Sequence, residues 1–218
     1  MWAERLWNII MNFGRFGKIA SVSLIGAMLL AGCSGNGQTV MKIGDNNIIR
    51  ENVTINRGTA AKGKTCVGSG NLLMESVHVA HDAFVGNDCI IGNGTKLAGE
   101  IIIDDHAIIS ANVLMHQFCR VGGYTMVGGG TRFSQDIPPY TICAREPVAY
   151  CGLNLVGLRR RGFSNELIEN IHNAYRIIYQ GGVPLNEALQ KVREEVPASP
   201  EINYIIEFIE NSKRGFVH

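Results

Sequence analysis

Counting forward from Val67 in steps of six, the chain presents Leu73, Val79, Val85, Ile91, Leu97, Ile103, Ile109, Met115, Val121, Val127 and Phe133. Every one of these residues is large and apolar. The residues two places earlier, from Thr65, Asn71, Val77, Ala83 and Cys89 through to Thr131, are mostly small or β-branched. An amphipathic helix repeats near 3.6 and a half-buried strand at 2, and neither holds this register over such a length. A hexapeptide period specifies a parallel β-helix, in which three hexads close one triangular coil and each coil buries its aliphatic column on the next. Residues 67–138 then form four coils of eighteen residues. Upstream, Ile43, Ile49 and Ile55 keep the step, and NRGTAAKGKTC (56–66), rich in glycine and lysine, reads as an outward loop. Gly68, Gly86, Gly92, Gly122 and Gly128 directly follow an aliphatic residue and are expected at corners of positive φ.

From Ser164 the period becomes helical. Leu167, Ile168, Ile171, Ala174, Tyr175 and Ile178 form one stripe behind a Ser164 N-cap. Gly181, Gly182 and Pro184 end that helix. A second helix is expected over 186–196, and Ser199-Pro200-Glu201 opens a third. The expected division is therefore an unrelated segment 1–40, a β-helix 41–140, a connector 141–163 and a small helical domain 164–218.

Twenty Lys and Arg against nineteen Asp and Glu give no reason to expect a nucleic-acid partner. The six cysteines are scattered with no CxxC pair, as in a reduced protein and unlike a disulfide scaffold. The first forty residues stand apart. Arg5, Arg15 and Lys18 precede the apolar run 19–31, which ends in Leu30-Ala31-Gly32-Cys33, the layout of a lipoprotein signal whose cleavage would leave Cys33 lipidated. The run is short for a membrane span, which takes about 20 apolar residues.

A coil of eighteen residues stacks Ala80-His81-Asp82 under Ala98-Gly99-Glu100 and then His116-Gln117-Phe118. His81, Gly99 and Gln117 share a column, with steps of about 4.8 Å. An imidazole beside carboxylates that orient it can act as a general base. The Gly99 peptide, unshielded by a Cβ, is suited to meet a developing oxyanion. Zinc is the competing chemistry. His81 and His116 lie two coils, or about 10 Å, apart, too far to share one ion within a chain. His78 and His81, at odd spacing, are expected on opposite faces of a strand. His106 reads as a surface polar residue.

From IGDNNIIRENVTINRGT (43–59) to the C-terminus the sequence resembles the UDP-N-acetylglucosamine acyltransferases of lipid A synthesis. NLLM (71–74), HVAHD (78–82), LAG (97–99), HQF (116–118), DIPPY (136–140), GLRRRGFS (157–164) and NAYRIIY (173–179) carry the resemblance. It implies an all-β left-handed parallel β-helix followed by a small α-helical domain, assembled as a homotrimer with sites between subunits. It implies transfer of an R-3-hydroxyacyl group from acyl carrier protein to the 3-hydroxyl of UDP-N-acetylglucosamine, without metal, cofactor or covalent intermediate. His81 matches the family's base, Asp82 its support and Gly99 the donor to the thioester carbonyl. His78, Gln117, Asn154, Arg160 and Arg161 match positions that hold the nucleotide sugar, and His116 another pocket residue. Two guanidiniums suit a diphosphate through their planar forks. Glu100, counted with the substrate pocket, stands where well-known members carry histidine, Asn56 replaces another histidine, and Val156 an acid. Gly129, Met126 and Pro147 are candidates for the acyl-chain ruler.

The family's several coils before IGDNN are replaced here by residues 1–40, so the alternatives are a non-catalytic β-helical lipoprotein anchored through Cys33 or, by a different chemistry, a zinc-dependent β-helical hydratase. Cytoplasmic substrates favour a cytoplasmic enzyme.

Overall fold

The computed structural model describes residues 39–218. The signal-like segment and Cys33 lie outside the described residues. Residues 40–133 wind as a parallel β-helix with three flat faces. Face I stacks Val40–Ile43, Lys64–Val67, Phe84–Val85, Ile102–Ile103 and Arg120–Val121. Face II runs from Ile48–Ile49 through Leu72–Leu73, Ile90–Ile91 and Ile108–Ile109 to Met126–Val127. Face III carries Thr54–Ile55, His78–Val79, Lys96–Leu97, Leu114–Met115 and Arg132–Phe133.

Partners are eighteen residues apart, as in Ile102 opposite Arg120 and His78 opposite Lys96. In the first coil the step is twenty-four, with Thr54 opposite His78 and Ile43 opposite Val67. The six extra residues are accommodated in the loop 56–63, between Thr54–Ile55 and Lys64–Val67. All twelve residues of the aliphatic column are 6% exposed or less, so the column is the core. At the open end, where no described coil lies beneath, Ile43 and Ile49 are 40% and 43% exposed.

The second inward position turns the corner, and at Asn71 and Thr95 its polar side chain satisfies the backbone there, whereas the Thr131 hydroxyl is buried without a hydrogen-bond partner among the described residues. Buried Asn71 donates to the Gly86 carbonyl at 2.9 Å and accepts from the Cys89 amide at 2.8 Å. Thr95 likewise caps the Ser110 carbonyl at 2.9 Å. A buried polar group so paired avoids a desolvation penalty of about 1–3 kcal/mol.

The expected location of positive φ is corrected. It falls three residues after each aliphatic residue, and mostly on non-glycines: Ser76, Asp82, Asp88, Glu100, His106, Asn112, Phe118 and Tyr124, with φ of 52–67°. The glycines directly after the aliphatic residue have another cause, close approach between coils. A Cβ on Gly92 would lie 2.5 Å from the Ala111 nitrogen, and one on Gly68 2.5 Å from the Gly86 carbonyl oxygen.

Residues 141–163 hold more than a connector. Thr141–Ala144 extends face II, Ala149–Leu153 returns antiparallel beside it, and a short helix α1 follows (Leu155–Arg160). Three longer helices, α2 (Asn165–Gln180), α3 (Leu185–Glu195) and α4 (Pro200–Glu210), pack on the last coils. Ser164 and Ser199 accept from the Leu167 and Ile202 amides as N-caps. Tyrosines dock the helices on the coils. Tyr204 Oη donates to Asp104 Oδ2 at 2.6 Å and accepts from the Gly123 amide at 2.8 Å. The Tyr175 hydroxyl donates to the Pro139 carbonyl at 2.6 Å.

Candidate active site

The corner between faces III and I collects His81, Asp82, Gly99, Glu100, His116 and Gln117. The Glu100 amide donates to the His81 carbonyl at 3.1 Å, and the Phe118 amide to the Gly99 carbonyl at 3.2 Å, so the three coils stack in the expected register. Asp82 and Glu100 share the left-handed conformation. The residue before each then sits at the rim of the corner.

His81 Nδ1 lies 2.9 Å from Asp82 Oδ2. A carboxylate only accepts, so Nδ1 carries a proton, and in the neutral imidazole the lone pair is then on Nε2. The Asp82 side chain is 1% exposed and the His81 side chain 45%. The carboxylate is thus a buried anchor and the imidazole an accessible tool. Thr59, in the inserted loop, completes the anchor. Its amide donates to Oδ1 at 2.8 Å and its hydroxyl to Oδ2 at 2.6 Å. Burial pushes the Asp82 carboxyl up, but the hydrogen bonds from Thr59 and His81 outweigh it and hold the group below the usual carboxylate range. Sequence reasoning missed Thr59, although the hexad inserted before Asp82 was the visible sign that a loop closes over this corner.

Gly99 is needed here for space. A Cβ at that position would stand 2.7 Å from His81 Cε1 and 2.8 Å from Nε2, so the imidazole rests against bare backbone. Glu100 is half-buried beside it, with Lys62 Nζ 3.7 Å from its carboxylate. His116 Nδ1 lies 3.0 Å from the Gln117 carbonyl, to which it donates.

His78 also points outward. The expectation of opposite faces fails because the chain turns the corner between the two histidines. On face III, His78 Nδ1 is 2.7 Å from Thr54 Oγ1. Burial first, and Lys96 second, lower its pKa from the ordinary imidazole value. It is therefore a neutral, half-buried polar group next to the His81 corner.

Asn154, Arg160 and Arg161 lie elsewhere. Asn154, 5% exposed, caps α1 by accepting from the Gly157 amide at 3.2 Å and donates to the Tyr124 carbonyl at 2.9 Å. Arg160 ends α1, and Arg161 Nη1 reaches His106 Nδ1 at 3.3 Å with its guanidinium 5.7 Å from the Tyr124 ring centre. This cluster occupies the corner between faces I and II. One chain therefore splits the predicted substrate-binding set, with His78, Glu100, His116 and Gln117 beside His81 at one edge of face I and Asn154 and Arg161 at the other.

A hexapeptide-repeat β-helix with a carboxylate-anchored imidazole set against a glycine backbone is an arrangement suited to acyl transfer, and the relatives of this chain are acyltransferases. Residues 136–217 match the family described as UDP N-acetylglucosamine O-acyltransferase, domain 2, and 178 residues are 40% identical to the acyl-[acyl-carrier-protein]–UDP-N-acetylglucosamine O-acyltransferase of Pseudomonas paraeruginosa, covering 81% of this chain and 69% of that one. The chain belongs to the UDP-N-acetylglucosamine O-acyltransferase family. Among solved structures, the UDP-N-acetylglucosamine acyltransferase from Bacteroides fragilis is similar at 70% identity and a TM-score of 0.82, over 84% of this chain and 72% of that one. The Francisella novicida enzyme is similar at 37% identity and a TM-score of 0.81, over 85% and 68%.

Proposed function

We propose that this chain transfers an R-3-hydroxyacyl group from acyl carrier protein to the 3-hydroxyl of UDP-N-acetylglucosamine, the first step of lipid A biosynthesis, with His81 as general base. The observation that carries the reading is the Asp82–His81–Gly99 arrangement. In the neutral ring the bond from Nδ1 to Asp82 selects the tautomer whose lone pair is on Nε2, and His81 Nε2 accepts the proton of the sugar hydroxyl as its oxygen attacks the thioester carbonyl. The Gly99 backbone, against which the His81 ring rests, is the donor this reading assigns to the resulting oxyanion. Collapse breaks the carbon–sulfur bond, and the imidazolium returns its proton to the departing thiolate. Asp82 stabilises the imidazolium between these steps and stays ionised.

Asn154, Arg160 and Arg161 would bind the nucleotide sugar, but their edge is separate from that of His81. A ring of three copies, each turning face I toward the axis, sets the His81 edge of one copy beside the Arg161 edge of the next. Face I suits such burial, because its outward residues Phe84 and Ile102 are apolar and 46% and 36% exposed. The reading thus includes a homotrimer whose sites lie between subunits, with residues 41–140 as the β-helix and 164–218 as the helical domain. Among the described residues no helix is long and apolar enough to cross a membrane, and both proposed substrates place the reaction in the cytoplasm.

Purified protein given 3-hydroxyacyl carrier protein and UDP-N-acetylglucosamine should yield the acylated sugar nucleotide. His81→Ala should abolish it, and product formation at the wild-type rate in that variant would remove His81 from the mechanism.

A further inference from the structure

His106 read from sequence as a surface polar residue, yet it stands at the centre of the corner between faces I and II. Its Nδ1 is 3.3 Å from Arg161 Nη1. A guanidinium only donates, so this nitrogen must be an unprotonated acceptor and His106 a neutral imidazole. The ring lies 4.7 Å from the Tyr124 ring at 39°, and Arg161 lies over the other side of the cluster, 5.7 Å from the Tyr124 centre. Asp88 Oδ2 is 3.7 Å from the same Nδ1.

We propose that His106 is a positioning residue for the nucleotide sugar: its neutral Nδ1 holds the Arg161 guanidinium in place over Tyr124 so that the remaining donors of the planar fork meet the diphosphate. The proposal rests on the acyltransferase reading above. A guanidinium carries five donors, so one given to His106 does not exhaust the fork. A flexible side chain fixed beforehand also loses less entropy when the anion arrives. Without the acceptor, Arg161 is free to swing toward Asp88 or Asp105.

The groups facing His106 set its response to acid. Burial and Arg161 lower its pKa from the ordinary imidazole value, while Asp88 and Asp105 oppose them. Neutral His106 is thus kept to a lower pH than an isolated imidazole. Once protonated it offers no acceptor, repels Arg161 and pairs with Asp88, so Arg161 is released as pH falls.

Two substitutions separate positioning from packing. His106→Phe keeps a ring on Tyr124 and removes the acceptor. His106→Asn places an amide oxygen near the Nδ1 position, does not titrate, and suits the φ of 63° at this residue. Steady-state kinetics with acyl carrier protein substrate in excess, and calorimetric titration with UDP-N-acetylglucosamine, give the readout. For His106→Phe the KM and Kd for the nucleotide sugar should rise about five- to tenfold, about 1–1.4 kcal/mol, with kcat within twofold. His106→Asn should stay within about twofold of wild type at pH 7.5, and should lack the weakening of binding in acid that is expected of wild type once His106 is protonated, below the ordinary imidazole value. Unchanged binding in His106→Phe, equal losses in both variants, or the same acid profile in His106→Asn and wild type would each overturn the proposal. Wild-type protein that neither binds nor acylates the sugar nucleotide would instead overturn the acyltransferase reading, and this inference with it.

Discussion

Adding one methyl group at Gly99 tests the proposed chemistry at its tightest point. In Gly99→Ala the new Cβ would begin 2.7 Å from His81 Cε1 and 2.8 Å from Nε2. Non-bonded carbons settle at about 3.5–4.0 Å, so something must move by about 1 Å. The glycine backbone is held in the stack by the bond from the Phe118 amide to its carbonyl. The imidazole is the free end of a side chain, and it is the part that yields. Among the described residues its hydrogen-bonded anchor is the 2.9 Å bond to Asp82, and a retreat of about 1 Å away from it carries that distance past the useful limit of a hydrogen bond. A misplacement of this size costs about a hundredfold in rate, or about 2.7 kcal/mol of barrier. The assay is kcat for acyl transfer at saturating concentrations of both substrates, with thermal unfolding as a control, since the half-exposed ring can move without disturbing the core. A Gly99→Ala enzyme within threefold of the wild-type kcat, folded equally well, would refute the claim that the ring must rest on bare backbone.

Other outcomes follow from the same geometry. Thr59→Val removes the hydroxyl but keeps the amide on Asp82, and should lower kcat about tenfold with little change in KM, measured by initial rates. Asp82 is held below the usual carboxylate range, so its contribution to stability is complete above the unfolded value near pH 4 and is lost as pH falls through its folded value. Urea titrations should therefore show Asp82→Asn less stable than wild type at pH 7, with the gap narrowing below about pH 4. Gly92→Ala puts a Cβ against backbone atoms of the next coil, with the Ala111 nitrogen at 2.5 Å, where no side chain can give way. It should destabilise the fold by about 1–3 kcal/mol or more in chemical denaturation, without a selective loss of KM or kcat in the protein that remains folded.

The coils were legible in the sequence because one register repeats without a break from Val67 to Phe133, and each of those residues is buried. The His81–Gly99–Gln117 column was legible for the same reason, being a matter of counting in eighteens. What counting cannot supply is anything that crosses the register. Thr59 reaches Asp82 from a loop outside the hexads, and Arg161 meets His106 across 55 residues. The hairpin Thr141–Cys143–Leu153 has no six-residue period and reads as an unpatterned stretch. The corner glycines misled because glycine has two physical uses, and composition does not say which applies. Coil-to-coil crowding selects it after each aliphatic residue, whereas the left-handed position tolerates Asp, Glu, His and aromatic residues.

The inserted hexad of the first coil has a wider meaning. Thr54 still finds His78 and Ile43 still finds Val67 despite a twenty-four-residue step, so the scaffold absorbs whole hexads as bulges and keeps its phase. The vertical distance from His81 to Gly99 is then set by the spacing of peptide hydrogen bonds, about 4.8 Å, and not by any side chain of the core. It behaves as a lattice constant. Substitutions in the aliphatic column can raise or lower the melting temperature while the reacting groups keep their pitch, and new loops can be grafted at the corners as Thr59's loop is, each arriving at a fixed address one rung from the base.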